Sequence, residues 1–417
     1  MLAMMGRLRR AWSRLFLDER PSLMLGLFRL AVAGTVGLHM IPHFFHLSDT
    51  FLATGFKELN PSFFPIWALR LVAHSPDWLV YAMVGVFLVS WFGFLIGLAT
   101  QASCLVMTLA CYYFYALNAL HIGTLSFDIL LVTLSLVWVT PYPGDFFSVD
   151  SILRGDERAY QRPRPFFIQR LLQWQIWWTF WYTALSKMTA GGNWLTDRPF
   201  YYLVHYPPEG VVKNFPFRDW FAHQPALCYW LGIILIVCEL TLPVLLLCRR
   251  TRLFGLLLGL AFHIKLVVTL HVPTIFFFLF PPQMALFVEP EVVVSWIERR
   301  RVMWANRPKP LLLWDGKCGF CRASIKRLHA LDLFNRIRTE DFRPAPDVAT
   351  FHPQLTVDRL ERRMQLVDRR FDLLRRHGWA LGGCPIRVFH DSWREILRCH
   401  GVFSATHRGS SNYRERH

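Results

Sequence analysis

The chain has 417 residues, a formal net charge of +17 and an apolar content of 53%, which is above the ~45–50% usual for a soluble domain. The apolar excess lies before residue 300, whereas the rest is rich in Arg and Asp. A membrane part followed by a soluble part explains this split better than one large globule does. A strong positive charge can indicate nucleic-acid binding, but the basic residues here flank apolar stretches, a pattern that controls membrane topology. We therefore expect a mainly α fold, with a polytopic helical membrane domain ahead of a small α/β domain, and no nucleic acid as a partner.

Eight apolar stretches have about the length of a membrane-crossing helix; they lie near 23–41, 78–98, 101–120, 124–140, 168–188, 226–248, 252–272 and 274–290. Arginine-rich segments precede the first stretch, separate the fourth from the fifth and the sixth from the seventh, and follow the eighth. With eight spans these segments all lie on one side of the bilayer, which the positive-inside rule assigns to the cytoplasm. The pattern predicts an integral protein of a bacterial inner membrane, with the lipid bilayer as a partner and both termini cytoplasmic.

Polar and ionisable side chains within or near the ends of these stretches are candidate functional residues, because charges are costly inside a membrane. They are Arg29, His39, Asn118, Asp128, Lys187, Glu239, His263, Lys265 and His271. Glu239 lies well inside its stretch, so we expect it to be buried against a cationic partner. Lys187 closes the fifth stretch, and its side chain could either line a polar cavity or extend to the lipid headgroups.

Three histidines, His39, His43 and His46, have the spacing of one helical face and could together bind a metal ion. Pro42 predicts that the helix ends there, and no Cys or carboxylate completes an obvious set of ligands. We therefore expect an interfacial belt of aromatic and histidine side chains, and no metal.

Six short segments of the apolar region form an ordered series: Leu25–Leu30, Tyr115–His121, Phe127–Leu131, Phe147–Ser151, Gln175–Trp194 and Ala261–His263. In order and spacing they resemble the HTTM domain, the membrane module related to vitamin K-dependent γ-carboxylase. The resemblance covers about residues 20–290, inside a predicted membrane domain at 1–298.

The HTTM resemblance implies a quinone or hydroquinone cofactor, with Lys187 acting as a base on the reduced quinone. The residues it implies around the cofactor are His263, Asp128, Asn118 and Trp194. This chain has Ser186-Lys187 where the carboxylase has two adjacent lysines, and this departure favours a quinone-linked reaction on a substrate other than a peptide glutamate.

The sequence after a basic linker at 299–310 is typical of a strand, a turn and a helix. Leu311–Trp314 is an apolar run of strand length, Asp315-Gly316-Lys317 is a turn signal, and Cys318-Gly319-Phe320-Cys321 opens a segment with apolar residues at helical spacing. A helix N-terminus favours a thiolate. We therefore predict that Cys318 is a nucleophile and that Cys321 resolves the mixed disulfide.

Two other interpretations of this cysteine pair stay open. Zinc binding would need a second pair at similar spacing, which Cys384 and Cys399 do not supply because they are too far apart. The pair could also be two inert thiols.

The run from Asp315 to Cys321 resembles the Asp-x-x-Cys-x-x-Cys signature of the DCC thiol–disulfide oxidoreductase family. The resemblance implies a thioredoxin-like domain at 311–408 and a polar tail at 409–417, with Asp315, Cys318 and Cys321 as catalytic residues. Its partners would be protein or small-molecule thiols and disulfides. We place further strands within 335–342 and 364–368, and the match to the family order weakens beyond 368.

Three functions follow from this organisation. The first is a membrane-bound oxidoreductase that joins a quinone-linked module to a cytosolic dithiol. The second is a γ-carboxylase-like enzyme regulated by the redox domain. The third is a membrane anchor for a DCC domain, although an inert anchor needs no ionisable residues within its spans.

Overall fold

The computed structural model describes residues 13, 17–55, 65–118, 125–140, 142–189, 194–195, 199–206, 213, 217–269, 274–353, 355–367 and 386–388, and all of their side chains except those at 125–127, 199, 274–279 and 386–388. The chain divides into an N-terminal unit, Met1–Arg154 with Arg158–Ser295, and a C-terminal unit, Gly155–Glu157 with Trp296–His417. The described residues of the N-terminal unit are mostly helical, with a two-stranded antiparallel sheet of β1 (Glu19–Pro21) and β2 (Pro163–Pro165).

The helices of the N-terminal unit follow one another through mostly short connections. They are α1 (Leu23–His43), α2 (Leu47–Thr50), α3 (Ile66–Ala73), α4 (Asp77–Ile96), α5 (Thr100–Leu117), α6 (Leu125–Val139), α7 (Val149–Arg154), α8 (Phe167–Thr189), α9 (Pro199–His205), α10 (Arg218–Ala222), α11 (Pro225–Leu247), α12 (Arg252–Thr269), α13 (Thr274–Ala285) and α14 (Pro290–Ala305), the last of which continues into the C-terminal unit.

Each of the eight predicted apolar stretches overlaps one of these helices. Among the described residues, four helical segments are long and apolar enough to cross a membrane: 23–50, 77–96, 225–247 and 252–269. Their outward faces carry exposed apolar side chains such as Val89 and Leu253, which suits contact with lipid. The helices are therefore those of a membrane protein, with four candidate spans.

The prediction that the first helix ends at Pro42 is correct to within one residue. Helix α1 includes Pro42 and reaches His43, and a 3-10 turn at Phe44–His46 then leads directly into α2. A proline has no N–H to continue the helical hydrogen bonds, and the chain goes on after His43 as a tighter 3-10 turn.

Arg29 holds the first helix to the rest of the N-terminal unit. Its side chain is fully buried, and the guanidinium donates hydrogen bonds to four backbone carbonyl oxygens: Phe94 (2.5 Å), Leu95 (2.6 Å), Phe147 (2.5 Å) and Pro143 (3.1 Å). A guanidinium has five N–H donors in a fixed fork, so it can join several chain segments that end at one place. Arg29 therefore acts as a structural link between segments distant in sequence.

The turn between α4 and α5 is tightly packed beside this arginine. Gly97 has a φ of +70°, and a Cβ on it would lie 2.4 Å from the Cβ of Ser148 and 3.0 Å from the Cζ of Arg29. The Asp150 carboxylate then accepts hydrogen bonds from the amides of Ala99 (2.9 Å) and Thr100 (2.8 Å), at the start of α5. A carboxylate at a helix N-terminus satisfies donors that the helix leaves unpaired.

The C-terminal unit contains a four-stranded sheet in the order β4-β3-β5-β6. Its strands are β3 (Leu311–Trp314), β4 (Arg338–Asp341), β5 (Gln365–Val367) and β6 (Ile386–Val388). Strands β3 and β4 are parallel to each other. On the other side of β3, β5 pairs antiparallel with β3, and β6 pairs antiparallel with β5. The strands predicted at 311–314, 335–342 and 364–368 are confirmed.

The helices of the C-terminal unit are α15 (Gly319–Leu331), which connects β3 to β4, and α16 (Val357–Arg362), which precedes β5. A parallel strand pair requires such a crossover. Helix α15 packs Ile325 and Leu328 against Leu312 of β3. Helix α14 runs to Ala305 and so occupies the first part of the predicted linker at 299–310. Of the predicted domain beyond residue 367 only β6 is described, and the predicted tail at 409–417 lies outside the described residues.

Candidate functional site

The cysteine pair lies at the start of α15, directly after the turn that follows β3. Cys318 is the N-cap residue, and its Sγ accepts a hydrogen bond from the backbone N–H of Cys321 at 3.2 Å. Hydrogen bonding from the Cys321 side chain and amide lowers the pKa of Cys318. Burial, together with the bond to Cys318, raises the pKa of Cys321 to about 11.

These opposite shifts in pKa give the free thiols of Cys318 and Cys321 different reactivity. The thiolate is the nucleophilic form of cysteine, so Cys318 is the better nucleophile near neutral pH. Cys321 stays protonated there and is one helical turn away, where it can attack a disulfide formed on Cys318.

Asp315, predicted as a catalytic residue, lies under the turn that leads to Cys318 and is 7% exposed. Its carboxylate accepts two hydrogen bonds from the guanidinium of Arg343, at 2.9 and 2.8 Å, and one from the amide of Lys317 at 2.9 Å. The bonds from Arg343 lower the pKa of Asp315 to about 2. An ionised carboxylate that accepts two hydrogen bonds from one guanidinium is suited to holding the turn in place.

Asp341, the last residue of β4, binds the same turn. The Oδ1 of Asp341 accepts from the amides of Gly316 (2.9 Å) and Arg343 (3.0 Å). A Cβ on Gly316 would lie within 1.9 Å of Asp341 Oδ2, so this position requires glycine. The sequence prediction missed Asp341 and Arg343, because the Asp-x-x-Cys-x-x-Cys signature ends at Cys321. Only the parallel pairing of β3 with β4 brings these two residues to the turn at Asp315 and Gly316.

In the N-terminal unit, Lys187 of α8 forms an ion pair with Glu239 of α11. The Lys187 Nζ is 2.9 Å from each carboxylate oxygen of Glu239, and the glutamate side chain is 6% exposed against 23% for the lysine. The predicted burial of Glu239 against a cationic partner is therefore confirmed.

Lys265 of α12 adds a second ammonium group to this pair, since it interacts electrostatically with both Glu239 and Lys187. Its Nζ lies 5.2 Å from the ring centroid of Phe200, and the Lys187 Nζ lies 5.9 Å from that of Trp194. The Trp194 amide also donates to the Lys187 carbonyl at 3.0 Å. We call Lys187, Glu239, Lys265, Trp194 and Phe200 the lysine–glutamate cluster; two cations and one anion give it an excess of positive charge.

The structure thus brings the predicted residues Lys187 and Trp194 together. Glu239 and Lys265, which are candidate functional residues by their charge inside apolar stretches, lie in the same cluster. Nothing in the sequence pattern distinguishes Phe200 from the many other aromatic residues nearby.

The other predicted cofactor residues, His263, Asn118 and Asp128, each contact a different set of residues. His263 is buried, with its ring stacked on that of Phe280 at 4.5 Å. Asn118 is buried and donates to the Thr50 carbonyl at 2.8 Å. Asp128 lines a pocket of about 540 Å³ between α6 and α8. His271, Cys384 and Cys399 lie outside the described residues.

Two of the three histidines at helical spacing, His39 and His43, lie side by side at the end of α1. The rings of His39 and His43 contact each other edge to face at 5.2 Å. Within the part of the chain that the structure describes, no group of three or more His, Cys, Asp or Glu side chains is placed to hold a metal ion.

A helical unit with apolar spans and a charged cluster between helices, followed by an α/β unit with a cysteine pair, defines a polytopic membrane protein with an appended C-terminal domain. Residues 19–292 match the HTTM domain, so the chain belongs to the HTTM domain family, which is related to carboxylase-like enzymes. No curated protein and no solved structure matches the chain. The family match ends close to the boundary of the N-terminal unit at Ser295.

Proposed function

We propose that the C-terminal unit is a thiol–disulfide oxidoreductase with a thioredoxin-like fold, as the DCC resemblance implies. The carrying observation is the contrast between the thiols: the pKa of Cys318, at the helix N-cap, is lowered and that of Cys321 is raised. The sheet adds support, since a parallel pair connected by a helix and then two antiparallel strands is the strand arrangement of thioredoxin-like domains.

The proposed reaction transfers two electrons. The Cys318 thiolate attacks one sulfur of a substrate disulfide, forms a mixed disulfide and releases the first substrate thiolate, which takes up a proton. Cys321 loses its proton and attacks the Cys318 sulfur, which releases the second substrate thiol and leaves a Cys318–Cys321 disulfide. The substrate disulfide is reduced and the dithiol is oxidised, and the reverse sequence oxidises substrate thiols.

A trapping experiment with the full chain tests this proposal. Cys321→Ser should accumulate a stable mixed disulfide with a chromogenic disulfide reagent, because the resolving thiol is absent, and Cys318→Ser should not. Cys248→Ser, which removes an exposed thiol of the N-terminal unit, is the matched control and should exchange as the wild type does. Stable adducts on Cys321 in the Cys318→Ser protein, formed at the same rate, would contradict the assignment.

For the N-terminal unit we propose quinol-linked, carboxylase-like chemistry at the lysine–glutamate cluster. The favouring observation is the 2.9 Å contact between Lys187 and Glu239 beside Lys265. In this proposal Glu239 takes a proton from the Lys187 ammonium, and the neutral amine then accepts the hydroxyl proton of a reduced quinone. The second lysine stabilises the negative charge that the deprotonated ring acquires.

Quinol oxidation by the purified full chain in air-saturated buffer, with dioxygen as the electron acceptor, tests the second proposal. Lys187→Ala should abolish it and leave dithiol exchange at Cys318 unchanged, whereas Lys309→Ala, in the segment after α14, should alter neither. A Lys187→Ala protein that folds and still oxidises quinol at the wild-type rate would refute the role of Lys187. Intact dithiol exchange in that case would favour the N-terminal unit as an anchor for the redox domain.

The arginine-rich segments support a further proposal, that both termini and the C-terminal unit face the cytoplasm. A membrane-impermeant thiol reagent should label Cys318 in inverted membrane vesicles and leave it unlabelled in right-side-out vesicles. The opposite pattern would contradict this orientation. If reduction of the cysteine pair changed quinol oxidation, the alternative of a carboxylase-like enzyme regulated by the redox domain would be favoured.

A further inference from the structure

Four arginines from separate parts of the N-terminal unit lie close together. Arg20 belongs to β1, Arg170 to the first turn of α8, Arg249 to the turn after α11, and Arg252 to the start of α12. The Oε1 of Glu289, between α13 and α14, is 2.9 Å from Nη1 of Arg252 and 3.3 Å from Nε of Arg249. Arg170 interacts electrostatically with Glu289, Arg252 and Arg20.

Positive charge exceeds negative charge in this group. Glu289 is shared by several of the arginines, and Glu291, which is 3.9 Å from Arg20, has half of its side chain exposed. We call Arg20, Arg170, Arg249, Arg252, Glu289 and Glu291 the arginine cluster; four cations and two carboxylates give it an excess of positive charge. Like charges repel one another more strongly where water is partly excluded, so binding of an anion stabilises this arrangement.

An aromatic ring holds two of the guanidinium groups in place. The Cζ of Arg20 lies 4.3 Å and that of Arg170 4.7 Å from the ring centroid of Phe166. Arg170 is buried, and its Nη1 donates to Oε1 of Gln173 at 2.8 Å. Planar guanidinium groups in fixed positions are well suited to phosphate, because they bind its oxygens through pairs of parallel hydrogen bonds.

The helix beside the cluster presents apolar side chains outward. Arg252 is the first residue of α12, one of the candidate membrane spans, and the Arg249 side chain before it is 83% exposed. Leu253 and Phe254 are 70% and 61% exposed, and Leu257, one turn further, is 58% exposed. Arginines at the end of a membrane-spanning helix are level with lipid headgroups. A lipid bound here by its phosphate can therefore extend its acyl chains along α12.

We propose that the arginine cluster binds the phosphate group of an anionic phospholipid, whose acyl chains lie against Leu253, Phe254 and Leu257. The excess positive charge attracts an anion, and the exposed apolar side chains select an anion that carries acyl chains. This site is independent of the lysine–glutamate cluster. Arg170 and Lys187 are seventeen residues apart on α8, about 25 Å along the helix axis.

Thermal unfolding of the purified full chain in a neutral detergent tests the proposal, because a ligand that binds the folded protein raises its melting temperature. Phosphatidylglycerol should raise the melting temperature of the wild type, and phosphatidylcholine with the same acyl chains, whose headgroup has no net charge, should raise it less. Equal rises with the two lipids, or none with phosphatidylglycerol, would overturn the proposal.

Inorganic phosphate separates a lipid from a soluble phosphate compound. Sodium phosphate at the concentration used for the lipid, compared with sodium chloride of equal ionic strength, should leave the melting temperature unchanged, because it has no acyl chains to lie along α12. A rise equal to that with phosphatidylglycerol would overturn the lipid as the occupant of the cluster.

Substitutions at the accessible positions locate the effect. Arg20→Gln and Arg249→Gln should each need about fivefold more phosphatidylglycerol for the same rise in melting temperature. Arg70→Gln, at an exposed arginine of α3 in the same unit, is the matched control and should respond as the wild type does. Glu291→Gln removes a competing carboxylate and should need less lipid than the wild type, a gain that a folding defect cannot produce. Unchanged responses in Arg20→Gln, Arg249→Gln and Glu291→Gln would overturn the placement at the arginine cluster.

Discussion

The alkylation rates of the two cysteines provide a quantitative test of the dithiol geometry. At pH 8, a pKa of about 11 for Cys321 leaves roughly one thiol in a thousand as thiolate. An ordinary cysteine with a pKa of ~8.5 is about one quarter thiolate at this pH, and the lowered pKa of Cys318 makes its fraction larger still. The thiolate fractions therefore differ by a factor of ~100 or more. A thiolate of higher pKa is intrinsically more nucleophilic, which returns about tenfold for a Brønsted coefficient of ~0.4–0.5. Cys318 should then react at least about tenfold faster than Cys321.

Iodoacetamide labelling of the whole reduced protein at pH 8, quenched at intervals and mapped by peptide mass spectrometry, measures both rates in one sample. Cys248, an exposed thiol of the other unit, serves as the internal reference for reagent activity. Equal rates at Cys318 and Cys321, or faster labelling of Cys321, would refute the reasoning from N-cap position and burial.

A pH series identifies the source of the low pKa at Cys318. The main cause is hydrogen bonding from Cys321, so Cys321→Ala should move the inflection of Cys318 labelling to higher pH. Cys321→Ser keeps a hydroxyl donor and should retain much of the effect. An inflection unchanged in Cys321→Ala would assign the low pKa to the helix N-terminus and the amide bonds alone.

Three further predictions concern stability. Lys187→Met leaves Glu239 with Lys265 as a cation, whereas Glu239→Gln removes the carboxylate that lies between two partly buried ammonium groups. Glu239→Gln should therefore lower the melting temperature of the purified protein more than Lys187→Met does, and equal effects would contradict this arrangement. Asp315, with its pKa lowered from 3.8 to about 2, stabilises the fold above pH ~4 and loses this contribution as the pH falls through 2. Asp315→Asn should therefore lower the free energy of unfolding by roughly 1–2 kcal/mol at pH 7 and by almost nothing near pH 2. Hydrogen exchange in the preceding strand, corrected for intrinsic rates, measures both values. An equal loss at the two pH values would refute the ionised state of Asp315. Gly97→Ala places a Cβ 2.4 Å from that of Ser148 at a φ of +70°, which should cost at least ~1–3 kcal/mol, and an unchanged melting temperature would contradict this packing.

The local architecture of this chain was largely readable from its sequence. The apolar stretches predicted the positions of the long helices, and Leu311–Trp314 followed by Cys318-Gly319-Phe320-Cys321 predicted a strand, a turn and a helix. These signals are local, because the backbone satisfies helical hydrogen bonds within a few residues and repeats its side-chain pattern over one turn or two. The end of the first helix was readable in the same way, since Pro42 predicted it and α1 ends at the next residue, His43.

The partners of the charged residues were decided by the tertiary structure alone. Glu239 was expected to find a cation, but its contact with Lys187, 52 residues away, depends on how α8 packs against α11. Arg343 reaches Asp315 because β4 pairs in parallel with β3, and Asp128 faces a pocket because α6 and α8 leave space between them. An ion pair or a pocket needs groups from separate elements at ångström distances, and only the packing of those elements sets such distances.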